Sequence, residues 1–226
     1  MPLLEIAVPD YLNFSQPFTI LLWLVAIVLA LSLHEFCHAL SATVLGDATA
    51  KNEGRLSLNP LVHIDPMGLL LAVVAGFGWA KPVPFNPYNL RVQKWGPTLV
   101  ALSGPLSNFA QATLAAFVLR ILIGMGYPME SPLVIFLGYY FLINTGLCLF
   151  NLLPLPPLDG SKLLLDALSG PQHTAKRIFL ETRGPLILLG IMMLQVLFGI
   201  SIFGTFFSVL YRLIFLPLLR IDVGVY

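Results

Sequence analysis

Residues 17–45 read PFTILLWLVAIVLALSLHEFCHALSATVL, a run without Lys or Arg that holds one acidic residue, Glu35, and two histidines, His34 and His38. About 20 mostly apolar residues are enough to cross a hydrocarbon core as a helix, so this run spans a membrane. Ionisable groups are costly there and mark function. On a helix, His34 and His38 lie four residues apart and share a face. That is the spacing at which two imidazoles reach one zinc ion, with Glu35 beside them as general base. At a rise of about 1.5 Å per residue His38 lies about 10 Å before Leu45, which keeps the metal within the hydrocarbon.

Three further apolar regions follow: Gly96 to Gly124, Pro132 to Leu153 and Gly184 to Leu219. The last is long enough for two short spans turning between Gly199 and Gly204, a C-terminal helical pair that brings the number of spans to five. Gly68 to Trp79 is too short to cross as a helix and carries Gly76, Gly78 and the β-branched pair Val73 and Val74. It reads as a re-entrant extended segment, either an edge that pairs with an extended substrate or a packing element. The expected fold class is an all-α polytopic membrane protein with about five transmembrane helices and a short re-entrant β segment. Residues 1–226 read as one integral membrane domain, and no separate soluble domain is expected.

Composition and charge agree. Hydrophobic residues make up 58% of the 226 and charged residues 10%, against about 25% charged in soluble chains. Twelve Lys and Arg against eleven Asp and Glu give a net charge of +1. No basic excess is left for a phosphate backbone, and nucleic acid is excluded as a partner. Residues 1–16 hold Glu5 and Asp10 but no basic residue, so they lack the n-region of a cleavable signal peptide and the first span is expected to be retained. Cys37 and Cys148 fall in apolar runs outside any CxxC pattern and say nothing of redox compartment.

Cytoplasmic loops collect Lys and Arg. Lys51, Arg55, Lys81, Arg91 and Lys94 lie between the first two spans, and Lys162, Lys176, Arg177 and Arg183 follow the third, whereas Met125 to Ser131 carries only Glu130. Five spans put every basic loop on one side. The expectation is therefore a multi-pass protein of the cell membrane, its N-terminus outside and its metal toward the cytoplasm. If Gly68 to Trp79 crossed, Lys51 and Arg55 would lie opposite Lys81, Arg91 and Lys94.

A catalytic zinc takes a third protein ligand and keeps one position open. Asp159, which follows the prolines Pro154, Pro156 and Pro157 where the third span reaches the cytoplasmic side, is the candidate. Its competing reading is an N-cap for a helix from Gly160 to Leu168. Charge favours the ligand: zinc at +2 with ionised Asp159 and Glu35 sums to zero, so the cluster can be buried without net charge. Cys37 sits near His34 on the helix and reads as packing, and His173 as solvated. His63 and Asp65 are candidates for contact with substrate or water against capping and turn roles. Asn108, inside the second span, reads as a substrate contact or, more simply, an interhelical hydrogen bond.

His34-Glu35-Phe36-Cys37-His38, followed about 120 residues later by Asn151-Leu-Leu-Pro154 and Pro157-Leu-Asp159-Gly160, closely resembles the site-2 proteases, zinc metalloproteases that cut within membranes. Leu58-Asn59-Pro60 through Gly68, Lys81-Pro82-Val83-Pro84 and Ala101 through Asn108 are similar to the short bacterial and archaeal branch, although better-known members carry an additional span before the histidines and some carry PDZ or CBS domains. The resemblance covers about residues 17–168 and implies that this stretch is the catalytic core of an intramembrane zinc endopeptidase with one Zn2+ per chain, held by His34, His38 and Asp159. Glu35 would take a proton from the attacking water, and Asn151 would steady the oxyanion unless it makes only a helix-end hydrogen bond. It implies a membrane-anchored protein as substrate. A catalytically silent homologue that binds membrane-protein clients is the alternative, and intact Glu35 argues against it. A metal transporter would need ligands along a path rather than one enclosed cluster.

Overall fold

The computed structural model describes residues 17–75 and 78–198 and positions 209, 210, 213 and 214. Its long helices are α1 (Pro17–Val44), α4 (Gly96–Gly124), α5 (Pro132–Asn151) and α7 (Thr174–Phe198), and between them lie α2 (Thr49–Asn52), α3 (Pro66–Ala75) and α6 (Gly160–Ala167). Among the described residues α1, α4 and α5 are the three helices long and apolar enough to cross a membrane, and their bounds fall within two residues of those read from hydropathy.

The three spans pack against one another with small residues inward. Ala26, Ala30, Ala39 and Ala42 of α1 are buried, while Phe18, Leu21, Val25, Leu29, Leu40 and Val44 of the same helix are exposed. Between α4 and α5, Ala112, Ala115, Ala116 and Leu119 meet Val134, Phe141, Cys148 and Leu149. This is the packing of a membrane bundle. Lipid tails are as apolar as leucine, so large apolar side chains gain little by turning inward, and small ones let backbones approach. The interior thereby admits polar groups, provided they pair: Asn108 of α4 and Asn144 of α5 are fully buried and hydrogen-bonded to each other.

The ends of the spans are fastened by carboxylates. The start of α4 has no side-chain cap of its own; instead Asp166, on α6, accepts from the Thr98 backbone N–H at 3.0 Å and from its hydroxyl at 2.6 Å. Just past α1, fully buried Asp47 accepts from the Thr49 hydroxyl and N–H, the Asn86 N–H and the Asn89 amide. Burial alone would raise the Asp47 pKa; hydrogen bonds from Thr49, Asn89 and Asn86 to the charged form outweigh it and hold the carboxyl below its ordinary value. Arg55, also buried, donates to the carbonyls of Lys81 and Pro82 and ties the two halves of the long connection together.

Two expectations are corrected here. The segment expected to be extended is helical from Pro66 to Ala75. Asp65 Oδ1 accepts from the N–H groups of Met67 and Gly68 at 2.9 Å each, capping a helix that opens on Pro66. The run is apolar without period-2 alternation, and a helix satisfies its backbone internally where a lone strand within a membrane would need a partner. Pairing in this region is a single antiparallel bridge, Ile64 to Ala80, and no sheet forms among the described residues. The last helix also begins earlier than expected, at Thr174 instead of Gly184, and runs through Pro185 to Phe198. Its first turns are exposed and polar, with Arg177 and Glu181 paired at 3.2 Å, so hydropathy passes over them. The turn between Gly199 and Gly204 lies outside the described residues, and five spans are not seen among those described.

Candidate metal centre

His34 and His38 sit on one face of α1, both buried, and turn their Nε2 atoms toward each other at 3.0 Å. Asp159 Oδ2 completes the triangle at 3.2 Å from His34 Nε2 and 3.4 Å from His38 Nε2. Asp159 does occupy the N-cap position of α6, but its side chain makes no capping bond and is turned to the histidines instead. Its geometry favours the ligand reading over the cap. Gly160, next to Asp159, packs tightly against the turn after α5, where a Cβ would stand 2.3 Å from the Leu152 carbonyl oxygen.

The outer faces of both rings are occupied. His34 Nδ1 is 2.6 Å from Asn108 Oδ1, and His38 Nδ1 is 2.8 Å from the Val100 carbonyl oxygen. A carbonyl can only accept, so His38 donates from Nδ1, and in its neutral form it leaves a lone pair on Nε2. With His34 in the same form, two imidazole lone pairs and a carboxylate oxygen converge with no proton among them, and buried Asp159 Oδ2 has no hydrogen-bond partner. Such a triad wants a cation. Tetrahedral ligands about 2.0–2.1 Å from zinc stand about 3.3 Å apart, close to the three separations observed, and the donor set of two imidazoles and one carboxylate suits zinc. Among the described residues this is the group of His, Cys, Asp and Glu side chains able to hold a metal ion.

The triad opens on a cavity of about 910 Å³. Along α1 its lining runs from apolar Trp23, Ile27 and Leu31 to His34, Glu35 and His38; Tyr139, Leu142, Ile143 and Asn151 of α5 also line it, as do His63, Asp65 and Lys162. From Trp23 to His38 the groove follows α1 for about 22 Å at about 1.5 Å per residue. Gly68 and Leu69 of α3 contribute to the wall, and a Cβ on Gly68 would stand 2.0 Å from the Trp79 carbonyl oxygen.

Glu35 lies in this wall, 8% exposed, outside the three converged atoms. Asn151 lines the cavity and donates to the Leu147 carbonyl at 3.1 Å, the helix-end bond weighed for it. His63 lines the cavity with its Nε2 donating to the Ser57 carbonyl at 2.7 Å, and Asp65 takes the capping role. Asn108 is behind His34, fully buried and absent from the cavity lining, and makes the interhelical bond weighed for it, to Asn144. Cys37 is likewise absent from the lining.

From the sequence, Asn144 and Val100 draw no notice, and Gly104 enters only within Ala101 through Asn108, the stretch similar to the short branch, without a role of its own. Asn144 is an amide inside an apolar span, a signal of the same kind as Asn108. Gly104 lies so close to the rings that a Cβ would stand 2.5 Å from His34 Cε1, His38 Cε1 and His38 Nε2. Val100 acts through its backbone, which leaves no trace in residue type.

A model of peptidase family M50 matches residues 121–197. The provisionally named zinc metalloprotease YwhC of Bacillus subtilis is 40% identical over 169 residues, 73% of this chain and 77% of its own length. A relative under the same kind of name in Methanocaldococcus jannaschii, MJ0611, is 32% identical over 153 residues, 67% of this chain and 75% of its own. Rip2 of Mycobacterium tuberculosis, again provisionally named a zinc metalloprotease, is 37% identical over 144 residues, covering 61% of this chain and 52% of Rip2. No solved structure matches.

Proposed function

The chain belongs to peptidase family M50, the site-2 type of zinc metalloprotease, and on that premise we propose that it hydrolyses peptide bonds in or beside the membrane-spanning segments of membrane-anchored proteins. The observation that carries this reading is the continuity of the cavity. One groove holds the His34, His38 and Asp159 cluster at its polar end and runs along a spanning helix between apolar walls at its other end. A soluble substrate would have no use for the apolar half. A client-binding homologue would have no use for a carboxylate beside a zinc site.

His34, His38 and Asp159 would hold the zinc, which when bound supplies a Lewis acid and lowers the pKa of water to about 7. Glu35 takes a proton from the water that attacks the scissile carbonyl carbon and delivers it to the leaving amine nitrogen as the C–N bond breaks. Asn151, in the cavity wall, donates one amide hydrogen to the Leu147 carbonyl and has a second with which to steady the oxygen that gains charge. A helical substrate exposes no backbone to attack, so the scissile stretch unwinds before it reaches the triad.

The test uses the chain in liposomes with a membrane-anchored protein tagged at both ends. Cleavage within or beside the span, stopped by a zinc chelator and restored by added zinc, is expected; cleavage only in a distant soluble region, or none that depends on zinc, would refute the proposal.

We further propose that the N-terminus is outside and the triad faces the cytoplasm, a reading supported by the basic residues that follow α1 and α5. A reporter fused near Lys94 is expected to read cytoplasmic, and an extracytoplasmic signal would reverse the topology.

A further inference from the structure

The two zinc-facing histidines are held by different means, and the difference assigns a role to a pair of amides buried in the bundle. His38 leans directly on the Val100 backbone carbonyl, an acceptor that cannot reverse. His34 leans on Asn108, a side-chain amide that can present either its oxygen or its nitrogen. If Asn108 turned its NH2 to the ring, the ring would have to accept at Nδ1 and carry its proton on Nε2, and the lone pair toward Asp159 would be lost.

The orientation is dictated from α5. Asn144 Nδ2 lies 2.8 Å from the Tyr140 carbonyl oxygen, which can only accept, so the Asn144 NH2 must face it. That leaves Asn144 Oδ1 toward Asn108, whose nitrogen lies 2.8 Å away and must donate. Asn108 Oδ1 is then the atom left for His34, at 2.6 Å, and His34 Nδ1 must donate to it. Each link has a single polarity, counted from a fixed backbone carbonyl. Both amides are fully buried, so water cannot repair a reversed link.

We propose that Asn108 and Asn144 form a polarity relay, running from the Tyr140 carbonyl of α5 through α4 to His34 of α1, that fixes the Nδ1–H tautomer of His34 and keeps Nε2 free for the metal. They are positioning residues: neither lines the cavity. The inference rests on the zinc reading but not on proteolysis, and its readout is metal affinity, so it can fail or hold whether or not a substrate is cut.

Zinc affinity of the detergent-purified chain is measured by competition with a chelator. Asn144→Leu leaves Asn108 free to turn and is expected to weaken zinc by about 10–100-fold, the usual cost of losing a supporting partner. Adding Asn108→Asp to that variant is expected to restore affinity to within a few-fold, because both oxygens of a carboxylate accept from His34 whatever stands behind it. Simple loss of packing would not be rescued by a change from amide to carboxylate. Unchanged affinity in Asn144→Leu, or a loss that Asn108→Asp does not recover in a folded protein, would overturn the relay. Should the variants fail to fold, 15N NMR of the histidine rings in the zinc-loaded wild-type chain decides: a proton on His34 Nδ1 supports it, and zinc on His34 Nδ1 overturns it.

Discussion

Glu35→Gln should lower turnover by about 10²–10⁴-fold, the range that a positioned general base contributes, while the purified protein keeps its zinc. Glutamine matches glutamate in size and cannot take a proton from water. Glu35 lies in the cavity wall but not among the three converged ligand atoms, so the triad itself is untouched. The paired readout, cleavage and metal content on the same preparation, separates the readings. A variant that still cuts at wild-type rate would remove Glu35 from the chemistry. One that lost both cleavage and metal would mean that the carboxylate is needed to neutralise the buried cation, not to move protons. If the chain instead held clients without cutting them, the substitution would change nothing measurable.

Gly104→Ala should empty the same site by a steric route, alongside Asp159→Ala, which removes a ligand outright. In a helix interior, alanine is ordinarily worth about 1 kcal/mol over glycine, and intrinsic propensity alone would call the change stabilising. The position decides otherwise. A Cβ there would stand 2.5 Å from atoms of both imidazoles, and neither ring can retreat without breaking its outer bond, His34 to Asn108 or His38 to the Val100 carbonyl. The expected result for both variants is a folded protein with far less than one zinc per chain, read by elemental analysis after purification. For Asp159→Ala the fall in affinity should exceed the about 10–100-fold typical of a supporting partner. Full occupancy in Gly104→Ala would mean that the rings point elsewhere. Full occupancy in Asp159→Ala would leave the histidines with a different third ligand.

The spans were legible because hydropathy over twenty residues is a strong signal, and His34, Glu35 and His38 because charge inside such a run is rare. Asp159 was legible as a candidate only, since an aspartate before a helix is also what a cap looks like; the turn of its carboxylate toward α1 is a tertiary fact. The segment after Asp65 was misread for a plain reason. A short apolar run with three glycines and two valines carries no period that separates strand from buried helix, and the decisive feature was the cap supplied by Asp65. The early start of α7 was hidden by polarity, because a solvated helix and a loop share a composition. The roles of Gly104 and Val100 were illegible, although Gly104 stands within a stretch that carries the resemblance: one matters for an atom it lacks and the other for an oxygen every residue has.

Asp159 and Asp166 stand seven positions apart, at the start of α6 and near its end, and reach different spans, the first toward the α1 histidines and the second to Thr98 of α4. The short helix is therefore a clasp with two independent fastenings, one of which needs no metal. Its conformational entropy is already spent when zinc arrives, so the ion meets a preorganised donor in place of a loop it must first recruit. A protein stripped of zinc would keep its third ligand on station, and remetallation would be a matter of entry by the ion, not of refolding.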